Sequence, residues 1–392
     1  MINCCSPIGI STYKRIDHLK ETLDALSKNI LAEYSDLYIF SDAPRVGDED
    51  EVYKLREFLN TINGFKSVSI FQRITNDRVK NNREGIKYLL DKYGKCIFLE
   101  EDIVTAKGFL EFMNSALIKY KNNKDIFSIC SFTPNINITI EKSDIYLLKR
   151  FSAWGFAIWK DRYEKIKYIN QRDLDLLIHN KKIMQEIKNY SGSDLFEWFK
   201  AEVNKSLDGL DSKGSFLEIQ DNYYSVYPKQ SLSLNIGHDG SGLHSGITNK
   251  YDVNLWEKDK NFILPTNIKE DKNISSKVAK FYSNQNNNIS KFVIKQIIKK
   301  IQNENIASIS IWGTGDLAKV IYKELIKLNI QVSYFLNSWV NENKTFLDKK
   351  VITPYEAIKM GEKYIAICSI ANRYKMIEEI KNYNIKVFYY ED

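Results

Sequence analysis

Lys95-Cys96-Ile97-Phe98-Leu99-Glu100-Glu101-Asp102-Ile103-Val104 is the stretch that decides the fold. A short apolar run, too brief for a helix, meets three consecutive carboxylates and then turns apolar again, which reads as a buried strand ending in an acidic turn. Upstream, the same grammar repeats. Pro7 to Ser11, Asp36 to Ser41 and Ser67 to Arg73 read as strands, and Asp17 to Lys28, Asp50 to Ile62 and Asn82 to Tyr93 as helices. In the first helix Leu19, Leu23 and Leu26 fall on one face. Strands alternating with amphipathic helices predict a mainly parallel sheet flanked by helices, an α/β fold. Ligands of such sheets collect beyond the carboxyl ends of the strands. Thr12-Tyr13-Lys14-Arg15, Asp42-Ala43-Pro44-Arg45 and Glu100-Glu101-Asp102 each follow a strand directly, so they are expected to converge on one cleft.

Three adjacent carboxylates repel one another unless a cation neutralises them. Oxygen ligands of this kind suit the hard divalent ions Mg²⁺ and Mn²⁺. The plainer alternative is a solvated acidic turn, or negative charge placed at the start of the helix that Phe109 opens.

The chain has 392 residues, more than one core usually spans, so two domains are expected. With 43% hydrophobic and 27% charged residues it falls in the ordinary globular range. The net charge of +7 comes from 57 basic residues scattered among 50 acidic ones, a pattern of solvated faces that argues against nucleic acid. It is compatible with attraction to an anionic membrane surface. No apolar run approaches the roughly 20 residues of a membrane span. The first residues lack the basic and apolar regions of a signal peptide, so a cytoplasmic location is expected, with peripheral contact at the inner membrane face. Five cysteines, at 4, 5, 96, 130 and 368, show no CxxC spacing and read as free thiols.

The acidic run resembles the metal-binding motif of GT-A glycosyltransferases, family 2-like, especially the group that includes N-acetylglucosaminyltransferase I and its bacterial relatives. The likeness continues in order through Ile8 to Arg15, Ser41-Asp42, Asn81-Asn82-Arg83-Glu84-Gly85, Trp154 to Trp159 and Asn235 to His244, about residues 6 to 250. It implies an inverting, metal-dependent transfer of a sugar from a nucleotide-diphosphate donor, a UDP-sugar above all, to a glycan or lipid-linked acceptor. Asp102 would be the direct metal ligand and Glu101 a contact to ribose or sugar, with Glu100 beside them. Asp42 would accept from the base. Thr12, Tyr13, Arg15, Asn82 and Arg83 would surround the nucleotide, with Arg15, Arg45 or Arg83 available to pair with phosphate. Trp154 and Gly155 would form the sugar-side wall, and His244, in a Gly-rich closing loop with His238, would reach phosphate or metal. Asp194 or Glu197, close to Trp198, would take the acceptor's proton. Asp194 also suits a helix N-cap.

Beyond about residue 250 the composition shifts. Asn267 to Asn288 is rich in Asn, Lys and Ser, and a helical stretch from Ser290 leads to strands at Ser308 to Trp312, Gln331 to Leu336, Tyr364 to Cys368 and Lys386 to Tyr390. The expected division is a catalytic domain over 1–262, a linker with a helix over 263–304 and a Rossmann-like accessory domain over 305–392. Gly313-Thr314-Gly315 follows a strand and opens a helix as a dinucleotide loop does, but Asn337 stands where the ribose-binding acid is expected. That departure weighs against a nicotinamide-dependent sugar oxidoreductase. The intact acidic run weighs against a non-catalytic nucleotide-sugar-binding module.

Overall fold

β1 (Ile8–Thr12), β2 (Asp36–Ser41), β3 (Ser67–Gln72) and β4 (Lys95–Glu100) lie parallel in the order β3-β2-β1-β4. Successive side chains of a strand point to opposite faces, and the sequence uses both. Ile97 and Leu99 of β4 join Leu19, Leu23 and Leu26 of the helix Ile16–Ser27 in one core. Cys96 and Phe98 join Ile86, Leu89 and Leu90 of the helix Arg78–Tyr93 in a second core on the other face. Each such aliphatic side chain contributes about 1.5–3 kcal/mol through burial, so the two-sided apolar pattern of β4 holds it at the sheet's centre. Gly9 lets the Arg78–Tyr93 helix approach: a Cβ there would lie 2.6 Å from the Phe98 ring and 2.7 Å from Leu89. That helix is capped at both ends by its own sequence. The Asp77 side chain accepts from Lys80 N, and Gly94 closes the last turn in the left-handed conformation, φ 73°.

β5 (Ile103–Thr105) leaves the sheet. β6 (Ile126–Cys130), β7 (Ile145–Leu148), β8 (Phe156–Trp159) and β9 (Tyr224–Pro228) extend it to eight strands in the order β3-β2-β1-β4-β8-β6-β9-β7, with β8 and β7 antiparallel to their neighbours. β10 (Ser233–Asn235) pairs antiparallel with β5, which brings residues 235–237 back over the acidic turn. Between β8 and β9 the helices Gln171–His179, Lys181–Glu186, Leu195–Val203 and Leu210–Asp221 share a separate small core that includes Leu174, Ile187, Phe199 and Phe216.

The computed structural model describes residues 5–239, 248, 250–283, 289–304, 306–338, 345–369 and 373–389. These fall into two units. Residues 5–237 and 250–283 form the first, in which the helix Lys272–Ser283 packs Ile274, Val278 and Tyr282 into the second core. The other unit contains the described residues from 289 onward together with His238, Asp239 and Thr248. It holds β11 (Ser308–Trp312), β12 (Gln331–Leu336), β13 (Thr345–Phe346), β14 (Lys349–Ile352), β15 (Tyr364–Ile367) and β16 (Lys386–Phe388) in the order β13-β14-β12-β11-β15-β16, parallel except for the β13–β14 hairpin. The fold class is therefore the one expected, a mixed α/β chain with a large, mainly parallel sheet and a second α/β sheet. Among the described residues no helix is long and apolar enough to cross a membrane.

Candidate functional site

The three carboxylates after β4 meet three different environments. Glu100, the last residue of β4, accepts from the Asn82 side-chain amide at 2.9 Å. Burial pushes its carboxyl up to about 7, the negative charge of Asp102 pushes the same way, and Arg78 and the Asn82 hydrogen bond oppose it. Glu101 is turned toward the β1 turn, where one oxygen accepts from Arg15 Nε at 2.7 Å and the other from Tyr13 N at 2.5 Å. Its carbonyl accepts from the Thr22 hydroxyl at 2.8 Å, which ties the acidic turn to the first helix. Asp102 Oδ2 accepts from Arg15 Nη2 at 2.7 Å, and its carbonyl accepts from Ile236 N at 2.9 Å.

Arg15 therefore straddles two neighbouring acids. Burial alone would lower its affinity for a proton, but Asp102 and Glu101 outweigh that and raise it. Among the described residues Asp102 Oδ1, Thr12 Oγ1 and Arg15 Nη1 are buried with no hydrogen-bond partner. A buried polar atom left unpaired costs about 1–3 kcal/mol, so these three atoms favour a partner from outside the chain, whether water or a ligand. Gly237 closes over this point: a Cβ there would lie 2.1 Å from Asp102 Oδ2 and 3.0 Å from Arg15 Nη1.

Opposite the acidic turn stands a carboxylate that the sequence reading missed. Asp211, in the first turn of the helix Leu210–Asp221, accepts from Ala153 N at 2.5 Å, directly before Trp154-Gly155. Burial pushes its carboxyl up to about 6, while the Ala153 N–H and the charges of Arg150 and Arg78 oppose the rise. The charge of Asp211 in turn adds to the rise at Glu100. The loop that presents Asp211 is held from beneath. Glu202 accepts from Gly209 N at 2.6 Å and from the Ser212 hydroxyl, and Lys213, buried with it, bridges Glu202 at 2.7 Å and Asp208 at 2.5 Å. The signal available in the sequence was an acid just inside a helix start after Gly209. Its partners lie too far along the chain to be read there.

Asp194 and Glu197 lie in other settings. Both oxygens of Asp194 accept from Arg150, at 3.0 Å and 2.7 Å. Arg150 is itself buried between the faces of Trp198 and Tyr282, 4.8 Å and 3.5 Å from their ring centres. Asp194 occupies the N-cap of the helix Leu195–Val203 without a capping hydrogen bond, so the capping alternative is not realised. Glu197 is exposed and pairs with Lys200 one turn on. The structure thus gives one candidate to an internal ion pair and the other to the surface.

The residues expected on the donor side divide as well. Asp42 is saturated by the structure, accepting from Ala43 N, Asp77 N and the Asn76 amide. The Tyr13 hydroxyl donates to Asp48 and accepts from Arg45 N. Arg83 donates to Asp208 and to the Tyr168 hydroxyl, which draws it to the loop beneath Asp211. Trp154 packs edge-on against Phe132 at 4.8 Å and Tyr251 at 5.0 Å. Gly155 adopts φ 79° at a point where a Cβ would meet Ser131 Oγ at 2.6 Å, so its place is a steric requirement of the turn. His244 lies outside the described residues. In the other unit Gly313 sits after β11 at φ 139°, against the Cys368 carbonyl, and Gly315 caps the helix Asp316–Lys327.

No known family model matches this sequence, and no curated protein is similar to it. Solved structures with some similarity include S. aureus TarS, 11% identical over 41% of this chain and 30% of that one, TM-score 0.28. Another is GalNAc-T7 with UDP, GalNAc and Mn²⁺, 11% identical over 59% and 43%, TM-score 0.36. A third is the apo-form glycosyltransferase GlyE of Streptococcus pneumoniae TIGR4, 8% identical over 97% and 90%, TM-score 0.27. The chain spans less than a third of TarS. Residue roles therefore rest on the geometry above.

That geometry admits a divalent cation in one way. Among the described residues no group of three or more His, Cys, Asp or Glu side chains converges as a ready-made metal cage. Both oxygens of Glu101 are taken, Glu100 is bound to Asn82, and Asp102 keeps one buried, unpartnered oxygen. One carboxylate oxygen suits Mg²⁺ or Mn²⁺ held mainly by a ligand's phosphates and water.

Proposed function

We propose that the first unit is a glycosyltransferase that takes a nucleotide-diphosphate sugar, with a UDP-sugar as the leading donor, and passes the sugar to a hydroxyl of a glycan or lipid-linked acceptor. The observation that carries this reading is the pairing of two unlike features at the carboxyl end of β4. A buried, partly unsatisfied Asp102–Arg15 pair fits a diphosphate and its cation, and across from it stands Asp211, a carboxylate with raised proton affinity beside Trp154.

The chain's own residues then have defined tasks. Asp102 would hold the cation through Oδ1, and that ion would supply Lewis-acid stabilisation of the leaving diphosphate. Arg15 and the backbone of the β1 turn bind the phosphates. Trp154 offers an aromatic wall to the sugar rings. Asp211 accepts the acceptor's hydroxyl proton as that oxygen bonds to the anomeric carbon. The bond from the anomeric carbon to the phosphate oxygen breaks, and the electron pair leaves on the diphosphate, with inversion at the sugar. Asp211 replaces Asp194 and Glu197 in this role, because a base needs an oxygen not already committed to a guanidinium or turned to the surface. The second unit, with Gly313 and Gly315, is an accessory α/β unit in this reading. Assembly of bacterial surface polysaccharide or lipooligosaccharide at the inner membrane face is the setting the chemistry fits.

The test is a panel of nucleotide sugars incubated with the protein and Mn²⁺, monitored for nucleoside diphosphate released by slow donor hydrolysis. Release from one donor, abolished by chelator, is expected. No release from any donor, with no binding of UDP or GDP by calorimetry, overturns the reading.

A further inference from the structure

We propose that Arg15 is a built-in counter-cation for the acidic turn. It neutralises Asp102 while the site is free and hands that carboxylate to a divalent cation as its own guanidinium passes to the nucleotide's diphosphate. The inference rests on the nucleotide-diphosphate reading above and specifies how cation and nucleotide depend on each other.

The pair is incomplete in a particular way. A guanidinium and a carboxylate make their strongest contact as a two-pronged fork. Arg15 instead spends Nε on Glu101 and Nη2 on Asp102, leaving its own Nη1 and the Asp102 Oδ1 buried without hydrogen-bond partners. The unpaired Arg15 Nη1 and the Asp102 carboxylate that carries Oδ1 both lie beneath Gly237. One is a donor suited to a phosphate oxygen and the other an acceptor suited to a metal ion. Bringing in a diphosphate with its cation satisfies both at once, and neither partner alone does so.

A pivot for the movement is present. Glu101 is fixed from three sides, by Tyr13 N, by Arg15 Nε and through its carbonyl by Thr22. The Nε contact can persist while Nη2 swings away from Asp102, so the arginine rotates about a retained ion pair and is never left without a counter-charge. Electrostatics makes the exchange obligatory. A divalent ion on Asp102 and a guanidinium on the same carboxylate repel at short range, and a partly buried setting screens that repulsion less than water does. The cation alone must therefore compete with Arg15. With diphosphate present, Arg15 gains a better partner and the competition is lifted, so the cation and the nucleotide each tighten the other's binding by the same factor.

The experiment measures Mn²⁺ binding, by the electron paramagnetic resonance signal of the free ion, for the full chain with and without UDP or GDP. It is run on the wild type, Arg15→Gln and Arg15→Lys, each checked for folding by circular dichroism. The wild type is expected to bind Mn²⁺ alone weakly and at least about tenfold more tightly with nucleotide. Arg15→Gln is expected to bind Mn²⁺ alone several-fold more tightly than the wild type while losing most of the gain from nucleotide. Arg15→Lys keeps the charge and is expected to stay weak for Mn²⁺ alone. Equal or weaker Mn²⁺ binding by a folded Arg15→Gln overturns the proposal, since Arg15 would then orient Asp102 and not compete for it. Should Arg15→Gln fail to fold, wild-type Mn²⁺ binding that is tight without nucleotide overturns it equally. Tighter Mn²⁺ binding by Arg15→Gln with no nucleotide response in either protein upholds the competition, overturns the handover and separately sinks the donor reading.

Discussion

Replacing Asp211 by Asn sets stability against catalysis, and the structure gives the size of both effects. The carboxyl has an ordinary value of 3.8 and stands near 6 in the folded chain, mainly because burial disfavours its charge. That difference corresponds to about 3 kcal/mol of strain carried by the ionised form at neutral pH, taken as an upper figure. The sign follows from linkage. The folded value lies above the unfolded one, so the penalty is fully present above about pH 6 and disappears as the pH falls below the unfolded value. Asn keeps the oxygen that accepts from Ala153 N and removes the charge. Asp211→Asn should therefore be more stable than the wild type at pH 7.5, by up to about 3 kcal/mol, and the melting difference should shrink toward pH 4. At roughly 2–4 °C per kcal/mol for a unit of this size, the rise is several degrees. Turnover should fall on the order of 10² to 10⁴ with donor affinity unchanged, because a base acts in the transition state and not on the bound donor. Wild-type turnover should decline as the pH drops through about 6, as the base is protonated. Thermal melts at several pH values, with release of nucleoside diphosphate as the activity readout, test both halves. An Asp211→Asn variant that turns over normally, or that melts lower at pH 7.5, refutes the reasoning.

Asp194→Asn is expected to cost about 3–5 kcal/mol, read as a lower melting temperature, because it leaves the buried Arg150 without its counter-charge. Donor hydrolysis per folded molecule should be retained, and its loss in a folded variant would return Asp194 to the catalytic role. Glu197→Gln, at an exposed i,i+3 pair, should stay within about 0.5 kcal/mol of the wild type and keep its turnover, as melts and donor hydrolysis can show. Gly237→Ala places a Cβ against Asp102 and should cost about 1–3 kcal/mol while weakening Mn²⁺·UDP binding measured by calorimetry. Unchanged binding there would mean that the strap over the acidic turn gives way freely.

The half of the first unit built on β1 to β4 was legible because its information is local. Apolar runs of strand length, helices with Leu at helical spacing and a capping Asp77 each act within a few residues of themselves. The sheet beyond β4 was not legible. β7 and β8 run antiparallel, and their partners, Tyr146 with Tyr227 and Ile97 with Ala157, are tens of residues apart. The same difference separates the site residues. Glu100 to Asp102 stood out as a contiguous charge run, whereas Asp211 owes its raised proton affinity to burial in the folded chain, and the groups that oppose the rise, Ala153, Arg150 and Arg78, are not near it in sequence. Crowded acids implied a divalent cation; the charge that meets Glu101 and Asp102 within the chain is Arg15, in a turn that the strand pattern had already placed beside them.

Asp194 and Asp211 show why residue type and helix position do not assign a base. Both are aspartates at the start of a helix, both are largely withdrawn from water, and Arg150 acts on each. What differs is the number and charge of the donors that reach the carboxylate. Asp194 receives the guanidinium at both oxygens, and that guanidinium is clamped between Trp198 and Tyr282, so neither partner is able to turn away and accept a proton from a substrate. Asp211 receives a single neutral N–H at one oxygen, and Arg150 and Arg78 reach it only through their fields. Desolvation without full neutralisation is the condition that raises a carboxylate's affinity for a proton while leaving an oxygen open to receive one. The buried Glu202–Lys213 pair holds the Asp211 loop in that state by bonding Gly209 N and the Ser212 hydroxyl on either side, so the cost of the uncompensated charge is borne by a loop anchored on both flanks of Asp211.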